Sequence, residues 1–574
     1  MVEKIIAENI EELNKKRNVH FAREKDCQRS FVSSVKLGEN QFCEMRISFS
    51  EYYPSKIPDI FIINPQERYM HMDSKGKLCL FDNSSILINE SLPEQLLLDC
   101  FDKAVEIITT DTNSQTYVEE VMREFESYWC AIAKVKIYSA IEVRENEYFE
   151  ETLFVSKGIR VLASSEEEAK FLACNYLNAT NDDNSFSAKC LVIGLRKNAK
   201  LIDLKDIYKW RDIRKYVMEN VSGSVKREFR KFLDKRVKNT IRYMVLSFPG
   251  KYGNILFGFR LSFTNRNYEK IEKLYGATVE CVYINRIDRE YLLQRCGAET
   301  TLSGKKVLLL GCGSIGGYLA NNLCQLGIES LDLLDADWFA VENVHRHFLG
   351  FDAIKKGPRD KAILLKERLE EMYPYVDIDS LDYKDRSAEF FISKNDRLKN
   401  YDLVVSALGE PTVNLKINRI LYEQNINVPF VCCFNEPYGI GGHAIATNID
   451  NNSCLRCMYT DVISPELVQF KASYVKAGQN FRKNISGCGS AFVPYSCLDS
   501  QQTAIVTARL VADILKNKEA SNCMHSWRGT SEDLEEAGFE VSDFYRLHSE
   551  EAPLIKMEIP TAKHCPVCNA RKGY

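Results

Sequence analysis

The spacing of hydrophobic and polar residues divides the chain into three regions with different expected structures. In residues 1–130, a helix with apolar positions at helical spacing precedes three alternating runs, FVSSVKLG, QFCEMRISFS and DIFIINP. A second helical pattern extends from Pro93 to Trp129. Alternation with a period of two predicts strands with one buried face, so we expect a small α+β domain.

Residues 131–285 differ because strand patterns dominate them. Apolar runs such as KCLVIGLR and NILFGFRLSF predict strands, and a charged helical stretch lies near Trp210 to Val237. No group of residues typical of a catalytic or metal site stands out in this sequence. The pattern therefore predicts a mixed linker domain.

Residues 286–574 alternate strands with helices, in the manner of βαβ units. Such alternation predicts a parallel sheet with helices on its faces. A length of 574 residues supports several domains, because single hydrophobic cores rarely grow that large. The expected fold is therefore multidomain, with α+β character at the start and α/β character at the end.

Composition excludes several classes of function. The 76 Lys and Arg residues nearly balance the 80 Asp and Glu residues, so we expect no basic field that binds nucleic acid. We find no apolar run of about 18 residues and no secretory signal, so neither membrane insertion nor export is expected. The 20 cysteines are scattered, which favours free thiols and a reducing cytoplasm.

A glycine-rich turn follows the apolar strand KKVLLL and precedes a helix. Gly311, Gly313 and Gly316 have the spacing that lets a backbone approach a phosphate at a helix N-terminus. The next strand ends in Asp335 and Asp337, about twenty residues on, where a carboxylate accepts hydrogen bonds from ribose. These features predict a nucleotide site. The alternative is a packing turn followed by two solvated acids.

Cations downstream of the acids decide which nucleotide we expect. Arg346 and Lys361 lie close in sequence to the acidic pair and are suited to neutralising a triphosphate or a pyrophosphate leaving group. They favour ATP over the NAD of an oxidoreductase, whose sequence would continue with a hydride-transfer domain. Lys361 alone is also compatible with a solvated lysine at a helix start.

Two pairs of cysteines have the spacing of zinc ligands. Cys454 and Cys457 form one CxxC pair, and Cys565 and Cys568 form another more than a hundred residues later. Four thiolates match the tetrahedral coordination of Zn²⁺, so we expect a bound ion to clip the tail onto its domain. Redox activity is the alternative for such a pair.

From the glycine turn onwards, the order of motifs resembles the ThiF, MoeB and ubiquitin-activating enzyme family, with its Rossmann-like adenylation domain. The segment DADWFAVENVHRHFLG carries the resemblance, which covers roughly residues 286–570. It implies that the acidic pair binds ribose, that Asn343 and Arg346 contact the phosphates, and that Lys361 faces the pyrophosphate. The nucleotide-binding residues implied are Gly311, Gly313, Gly316, Asp335, Asp337, Asn343, Arg346 and Lys361, of which Arg346 and Lys361 also act in catalysis.

The same resemblance implies a magnesium site and a homodimer. Family members usually place an aspartate after the strand that reads YDLVVSA here, whereas this chain has Gly409 at that place and Glu410 beside it. Either Glu410 is the carboxylate linked to Mg²⁺ or the metal site is built differently. Arg289 or Arg295 resembles the arginine that such enzymes contribute across a homodimer.

Family members also capture the activated carboxyl group as a thioester on a cysteine in a loop before a helix. Cys488 has a glycine on each side, which is typical of an exposed loop, and the positive end of the helix after Asp499 favours a thiolate. We expect Cys488 to be this cysteine. Cys497 is its rival.

The segment MHMDSKGKLCLFDN raises the question whether Cys79 packs in a strand or does chemistry. With SEYYPSKIP before it, the segment resembles the active site of ubiquitin-conjugating enzymes, which implies that Cys79 carries an acyl group. Tyr69, Met70 and His71 stand where the usual His-Pro-Asn triplet falls. His71 is therefore expected to stabilise an oxyanion or to act as a base. A surface histidine in a turn is the alternative.

An activating and a conjugating enzyme fused in one chain resemble bacterial enzymes of CBASS antiviral defence. The resemblance implies an acyl adenylate made from ATP, a thioester on Cys488, transfer to Cys79 and conjugation to lysine amines of target proteins. The implied acyl donor is the C-terminus of a cGAS-like nucleotidyltransferase. The rivals are an activator of sulfur-carrier or ubiquitin-like proteins, an NAD-dependent oxidoreductase and a non-enzymatic scaffold.

Overall fold

The structure is a computed structural model, in which the chain forms two compact units, residues 1–288 and 289–574. The residues described are 2–25, 27–37, 42–65, 69, 71–73, 75–81, 86–110, 115–182, 184–203, 207–237, 240–251, 253–263, 268–273, 277–295, 297, 300–381, 387–394, 396–484, 491–519, 521–548 and 554–569, without the side chains of 115–118, 396–397, 484 and 491. None of the helices in these ranges combines the length and the hydropathy that a bilayer-spanning segment needs.

The first unit contains an open sheet and a closed barrel. Its helices and strands are α1 (Val2–Arg17), β1 (Ala22–Arg23), β2 (Ser30–Lys36), β3 (Phe42–Ser48), β4 (Asp59–Ile62), α2 (Pro93–Thr109), α3 (Gln115–Ile132), β5 (Val135–Ser139), β6 (Tyr148–Ser156), β7 (Ile159–Ala163), α4 (Glu166–Tyr176), β8 (Phe186–Gly194), α5 (Trp210–Asn220), α6 (Gly223–Asp234), β9 (Arg236–Val237), β10 (Thr240–Gly250), β11 (Gly253–Phe263), β12 (Glu269–Lys270) and β13 (Thr278–Arg286).

The open sheet is an antiparallel meander, β1-β2-β3-β4, and α1 and α2 contribute apolar side chains to the same core. The alternating burial of β2 and β3 agrees with the period of two in their sequences. Tyr53, from the Tyr-Pro turn, is 1% exposed and links both helices. Its hydroxyl accepts a hydrogen bond from Asn9 Nδ2 at 2.8 Å and donates one to the carbonyl of Pro93 at 2.6 Å.

The helical pattern from Pro93 to Trp129 forms two helices, α2 and α3. α3 buries Phe125 and Trp129 in a cluster with barrel strands and with α5 and α6. Trp129 Nε1 donates a 2.8 Å hydrogen bond to the carbonyl of Val282 in β13. α3 therefore packs on the barrel, while a domain boundary near residue 130 stays a prediction.

The predicted linker region forms a closed barrel with the strand order β10-β11-β13-β5-β7-β6-β8, in which β8 pairs with β10. Alternate residues of the strands enter two apolar clusters. One cluster contains strand side chains with Ile141 and Val143, and the other includes α3, α5 and α6. Because successive side chains on a strand point to opposite faces, the first cluster fills the interior and the second lies under the helices.

The second unit is an eight-stranded sheet covered by helices. Its elements are α7 (Arg289–Arg295), β14 (Lys306–Leu310), α8 (Ser314–Leu326), β15 (Ser330–Leu334), α9 (Asp352–Lys355), α10 (Lys361–Met372), β16 (Asp377–Ser380), α11 (Ala388–Lys394), β17 (Leu403–Ser406), α12 (Pro411–Glu423), β18 (Phe430–Asn435), β19 (Gly441–Thr447), β20 (Lys483–Asn484), β21 (Ala491–Phe492), α13 (Cys497–Leu515), β22 (Cys523–Arg528), α14 (Glu532–Glu536), α15 (Asp543–Leu547) and β23 (Leu554–Glu558).

The strand order of this sheet is β16-β15-β14-β17-β18-β19-β22-β23. The pairs from β16 to β18 are parallel, and the last three strands are antiparallel additions. The chain runs outward from β14 to β15 and β16, then returns to place β17 on the other side of β14. A cleft therefore opens at the carboxyl ends of β14 and β17, where open α/β sheets bind their ligands.

Buried apolar residues on both faces of β14 explain its central place. Val307 and Leu309 belong to a cluster with α8, α10 and α13, whereas Leu308 and Leu310 belong to one with α11 and α12. A continuous apolar run is what a parallel strand covered on both faces requires. These helices fix the position of the turn that follows Leu310.

Candidate functional site

The turn after β14 needs glycine at two of its positions. Gly311 has φ of +90°, and a Cβ there would lie 3.0 Å from the backbone of Ala407, the residue after β17. A Cβ on Gly316 would lie 1.9 Å from the carbonyl oxygen of Gly311. Gly313 is the N-cap residue of α8. The predicted motif therefore forms a tight turn that points the N-terminus of α8 into the cleft.

Asp335 connects this turn to the end of β15. Its Oδ2 accepts a 2.6 Å hydrogen bond from the backbone N–H of Cys312, and its Oδ1 accepts one of 2.7 Å from the N–H of Asp337. Burial raises the pKa of the Asp335 carboxyl, although these two N–H donors and the ammonium of Lys361 oppose the shift. The carboxylate thus holds the glycine turn as well as standing at the place predicted for the ribose.

Asp337 and Lys361 form an ion pair beside the turn. Lys361 is the first residue of α10, and its Nζ lies 2.8 Å from Asp337 Oδ2. The Lys361 side chain is 11% exposed, whereas that of Asp337 is 72% exposed. A buried ammonium with one exposed partner is held close to the cleft and can exchange that partner for a phosphate oxygen.

The residues between the acids and Lys361 include one that the sequence did not single out. Asn343 Oδ1 accepts a 2.9 Å hydrogen bond from the N–H of Ala340, at the start of the 3₁₀ helix Val341–Arg346. Arg346, the last residue of that helix, is half-buried. The next residue, His347, is 4% exposed and lies against the glycine turn.

His347 is fixed by two backbone partners. Its Nε2 lies 2.6 Å from the carbonyl oxygen of Cys312, and the N–H of Leu349 donates to Nδ1 at 3.2 Å. The ring is therefore neutral, with its proton on Nε2, because one nitrogen must donate and the other accept. Burial lowers the pKa of His347 to about 4, and the charges of Lys361 and Arg346 act in the same direction. A histidine beside an arginine gives no sequence signal for this contact.

Gly409 and Glu410 lie after β17, on the other side of the cleft from the acidic pair. Gly409 has φ of +69°, and Glu410 is the exposed N-cap residue of α12. The glycine turn, the two acids and the Glu410 segment thus lie at the same edge of the sheet. Each follows the carboxyl end of one of the strands β14, β15 and β17. The structure leaves the role of Glu410 as a prediction.

The two arginines proposed from the sequence differ in their surroundings. Arg289 forms an ion pair with Glu329 and donates hydrogen bonds of 2.9 Å to the carbonyls of Gly327 and Ile328, after the end of α8. Arg295 is exposed, with its guanidinium 5.9 Å from the centre of the Tyr291 ring. Arg289 is therefore bound within its own unit, and the choice between Arg289 and Arg295 for a role across a homodimer stays a prediction.

Cys497 is the first residue of α13 and is half-buried. Ser496 caps the helix by accepting a hydrogen bond from the N–H of Asp499, whose carboxylate in turn accepts from the N–H of Ser496 at 2.6 Å. The preceding residue, Tyr495, has its hydroxyl 3.2 Å from Ser314 Oγ in the first turn of α8. The start of α13 therefore lies beside the start of α8.

Cys488 lies outside the described residues. On either side of it, the backbone pairs Lys483 with Phe492 and Asn484 with Ala491. The choice between Cys488 and Cys497 as the thioester cysteine consequently stays a prediction.

Cys454, Cys457, Cys565 and Cys568 come together in the second unit. All four are buried, and their sulfur atoms lie within 4.8 Å of one another. The Sγ atoms of Cys454 and Cys565 are 3.6 Å apart, and those of Cys457 and Cys568 are 3.5 Å apart. A tetrahedron of sulfurs around Zn²⁺ has edges of roughly 3.8 Å at the usual Zn–S distance, so the donor set and its geometry fit this ion.

Cys79 lies in the first unit, in a hairpin with His71. The backbone N–H of Cys79 donates to the carbonyl of His71 at 2.6 Å, and Met72 forms an antiparallel bridge with Leu78. Asp73 closes the turn by accepting from the N–H groups of two lysines at 2.8 and 2.9 Å. Cys79 is exposed, with its sulfur 3.9 Å from the carbonyl oxygen of Phe81. The thiol is therefore held out from the core rather than packed in a strand.

Helix α3 supplies two further contacts to this hairpin. The backbone N–H of His71 donates to the hydroxyl of Tyr128, and His71 Nε2 lies 3.0 Å from Glu120 Oε1. His71 has φ of +55°, in the left-handed region, and its side chain is 23% exposed. Met70, within the triplet compared above, lies outside the described residues.

Comparison with known proteins identifies one family and several relatives. The ThiF family matches residues 287–516. "ATP-dependent ubiquitin transferase-like protein Cap2" of Pseudomonas aeruginosa is 26% identical over 45% of this chain and 46% of its own, and its Vibrio cholerae namesake is 27% identical over 43% and 41%. The Escherichia coli protein of that name is 26% identical over 52% of this chain and 48% of its own.

The matches therefore span about half the length of these curated relatives. Within the second unit, the region matched by the ThiF family contains the glycine turn, the acidic pair, Lys361 and the first cysteine pair. The ThiF family is a family of ATP-binding adenylation domains, and this region has the corresponding cleft at its sheet. Residues 287–516 thus match the ThiF family, and about half of the chain is similar to proteins named Cap2.

Proposed function

We propose that the protein activates the C-terminus of another protein with ATP and conjugates it to amines of target proteins. The observation that carries this proposal is the cleft at the carboxyl ends of β14 and β17, where the glycine turn, Asp335 and Lys361 converge within the region matched by the ThiF family. The exposed Cys79 in the other unit supports the conjugation step.

In the first step, a carboxylate oxygen of the acyl donor attacks the α-phosphorus of ATP, and pyrophosphate leaves. Asp335 and Asp337 hold the ribose, and the N-terminus of α8 receives the phosphates between Asn343 and Arg346. Lys361 exchanges Asp337 for the leaving pyrophosphate and stabilises its charge. Mg²⁺ beside Glu410 would neutralise the phosphate oxygens that these cations leave free.

In the second step, a cysteine thiolate attacks the carbonyl carbon of the acyl adenylate and releases AMP. Cys488 is the proposed nucleophile because glycines flank it, and Cys497 remains the rival because α13 begins there, beside the first turn of α8. Cys79 then takes the acyl group by transthiolation. Carrying both thiols on one chain keeps the second at a high effective concentration.

In the last step, a lysine amine attacks the Cys79 thioester and forms an isopeptide bond. From the resemblance to enzymes of CBASS defence, we propose that the acyl donor is the C-terminus of a cGAS-like nucleotidyltransferase. Zn²⁺ held by the four buried cysteines would stabilise the fold of the second unit. The exposed Arg295 would act across a homodimer. The first three steps need the cleft and the two thiols, whereas this step needs the surroundings of Cys79.

The test combines pyrophosphate exchange with thioester gels. The chain is incubated with ATP, Mg²⁺ and a cGAS-like nucleotidyltransferase, and thiol-sensitive adducts are separated without reductant. We expect an adduct on Cys79 that Cys488→Ala prevents, while exchange of pyrophosphate into ATP persists in the Cys488→Ala variant. Charging of Cys79 in Cys488→Ala but not in Cys497→Ala would transfer the first thioester to Cys497. Absence of ATP-dependent exchange with the intact chain would refute the proposal.

A further inference from the structure

We propose that Glu120 is a positioning residue that makes His71 the general base for attack of an amine on the acylated Cys79. This inference rests on the proposed conjugation step. The sequence leaves open whether His71 is a base or an oxyanion donor. A base needs a lone pair on the ring nitrogen that faces the reaction, whereas an oxyanion donor needs a proton there.

His71 and Cys79 are direct neighbours across the hairpin. The bridge between Met72 and Leu78 makes them the next opposing pair, and the 2.6 Å bond from the Cys79 N–H to the His71 carbonyl joins them. His71 has φ of +55°, so it is this backbone hydrogen bond, and not regular strand geometry, that brings the two residues together. We infer from this neighbourhood that an amine attacking the carbonyl carbon on Cys79 comes within range of the His71 ring.

The contact with Glu120 determines which nitrogen of His71 carries the proton. An ionised carboxylate only accepts hydrogen bonds, so Nε2, at 3.0 Å from Glu120 Oε1, is the donor. In the neutral ring, Nδ1 then presents a lone pair and cannot donate to an oxyanion. The backbone of His71 is held at the same time by the hydroxyl of Tyr128, which limits reorientation of the ring.

The proposed step balances as follows in bonds and charges. The amine nitrogen forms a bond to the thioester carbonyl carbon, the C–S bond breaks, and its electron pair leaves with the sulfur of Cys79. The proton lost by the attacking nitrogen goes to His71 Nδ1 and then to the Cys79 thiolate or to water. Glu120 stabilises the transient imidazolium, as carboxylates do in catalytic triads.

The neighbouring glutamate provides a matched control. Glu119 precedes Glu120 on α3, and its Oε2 lies 3.0 Å from Lys251 Nζ, at the end of β10. Replacing Glu119 removes the same charge from the same helix turn without removing the partner of the His71 ring. If only the negative charge mattered, replacing Glu119 or Glu120 would slow discharge of Cys79 equally. If positioning of the His71 ring matters, only replacement of Glu120 slows it.

The experiment measures single-turnover discharge of Cys79 in the full chain. Cys79 is loaded with ATP and donor, and in parallel by exchange with a peptide thioester, with Cys79→Ala as the background. The second route does not depend on the adenylation domain, so failure of the first route alone refutes the proposed function and still leaves this inference measurable. If Cys79 accepts acyl groups by neither route, both proposals fail.

Discharge is compared between lysine and hydroxylamine, which is unprotonated at neutral pH and has little need of a base. We expect Glu120→Ala to slow the lysine reaction roughly 10- to 100-fold, and Glu120→Gln to restore part of the rate because its amide oxygen still accepts from Nε2. Hydroxylamine discharge should change little, and Glu119→Gln should behave as wild type. Equal slowing with both nucleophiles, or equal slowing by Glu119→Gln, would overturn the inference.

Substitution of His71 separates base from oxyanion donor. Asparagine tolerates positive φ and can donate to an oxyanion, but it cannot take a proton at neutral pH. We expect His71→Asn to discharge lysine as slowly as His71→Ala. Wild-type discharge by His71→Asn would assign the oxyanion role to this position and refute the base.

Discussion

His347 offers a direct test of how the glycine turn is held. Because its buried ring stays neutral in the folded protein, the free energy of unfolding should depend on pH. Replacing it with glutamine keeps a donor for the Cys312 carbonyl, which lies 2.6 Å from His347 Nε2. It also removes the ring that lies 5.0 Å from the centre of Phe339. We expect His347→Gln to destabilise residues 289–574 at pH 7, and to do so less at pH 5.

The size of that difference follows from the shift of the His347 pKa from 6.5 to about 4. Between these values the unfolded chain binds more protons than the folded chain, so stability falls as the pH drops through this window. At pH 5 the neutral ring of His347 lowers the free energy of unfolding by about 2 kcal/mol, and below pH 4 this loss approaches about 3 kcal/mol. Glutamine does not titrate, so the variant lacks this penalty at every pH.

The assay is urea unfolding at pH 7 and pH 5, followed by the fluorine signal of 5-fluorotryptophan at Trp527. Trp527 is 3% exposed within β22 and therefore reports on the second unit. The difference in free energy of unfolding between wild type and His347→Gln should be about 2 kcal/mol smaller at pH 5 than at pH 7. His345→Gln is the matched control, because His345 is an exposed neighbour and its variant should follow the wild-type pH dependence.

A constant gap between wild type and His347→Gln at the two pH values would refute this reasoning. It would mean that the ring takes up a proton in the folded state near its ordinary pKa, and so that it does not donate to Cys312 and accept from Leu349 as a neutral group. Loss of the pH dependence in His345→Gln would instead assign the effect to the exposed histidine.

Three further predictions concern the metal, the nucleotide and the packing of the second unit. Cys565→Ser should abolish a bound equivalent of zinc measured by mass spectrometry, whereas serine at Cys432, a buried cysteine outside the cluster, should retain it. Asp335→Asn should weaken ATP binding in calorimetry roughly 10- to 100-fold, because one charged hydrogen bond to the turn is lost, and Asp337→Asn should weaken it less. Arg289→Ala should lower the urea midpoint of the second unit, because two backbone carbonyls after α8 lose their donor; an unchanged midpoint would contradict that role.

Features encoded in a short stretch of sequence were the ones that the sequence predicted well. The apolar run before Gly311 and the spacing to Gly316 specify a strand, a tight turn and a helix, because only glycine accepts φ of +90° and the 1.9 Å approach found there. The two CxxC pairs predict one another, since tetrahedral coordination needs four ligands, and their sulfurs do come together. Local constraints of this kind leave few alternatives.

Contacts between distant segments were not accessible to the same reasoning. Glu120 lies 49 residues from His71, in a helix whose pattern indicates only an amphipathic surface. The barrel was equally hidden, because alternating strands specify which face is buried but not whether a sheet closes on itself. His347 and Glu120 were missed for the same reason: each is important through a partner that only the fold supplies.

Helix α3 contacts both the barrel and the hairpin that carries His71 and Cys79. Glu120 and Tyr128 of this helix contact His71, whereas Phe125 and Trp129 are fully buried in a cluster with barrel strands. An isolated α3 has no reason to keep this orientation, since helices are stabilised mainly by packing of an apolar face. The barrel thus sets the rotation of α3, and with it the partner of the His71 ring. Replacing Phe125 with a smaller residue should therefore slow the proposed discharge of Cys79 by lysine more than discharge by hydroxylamine. Equal effects on both nucleophiles would contradict a role of the barrel in positioning His71.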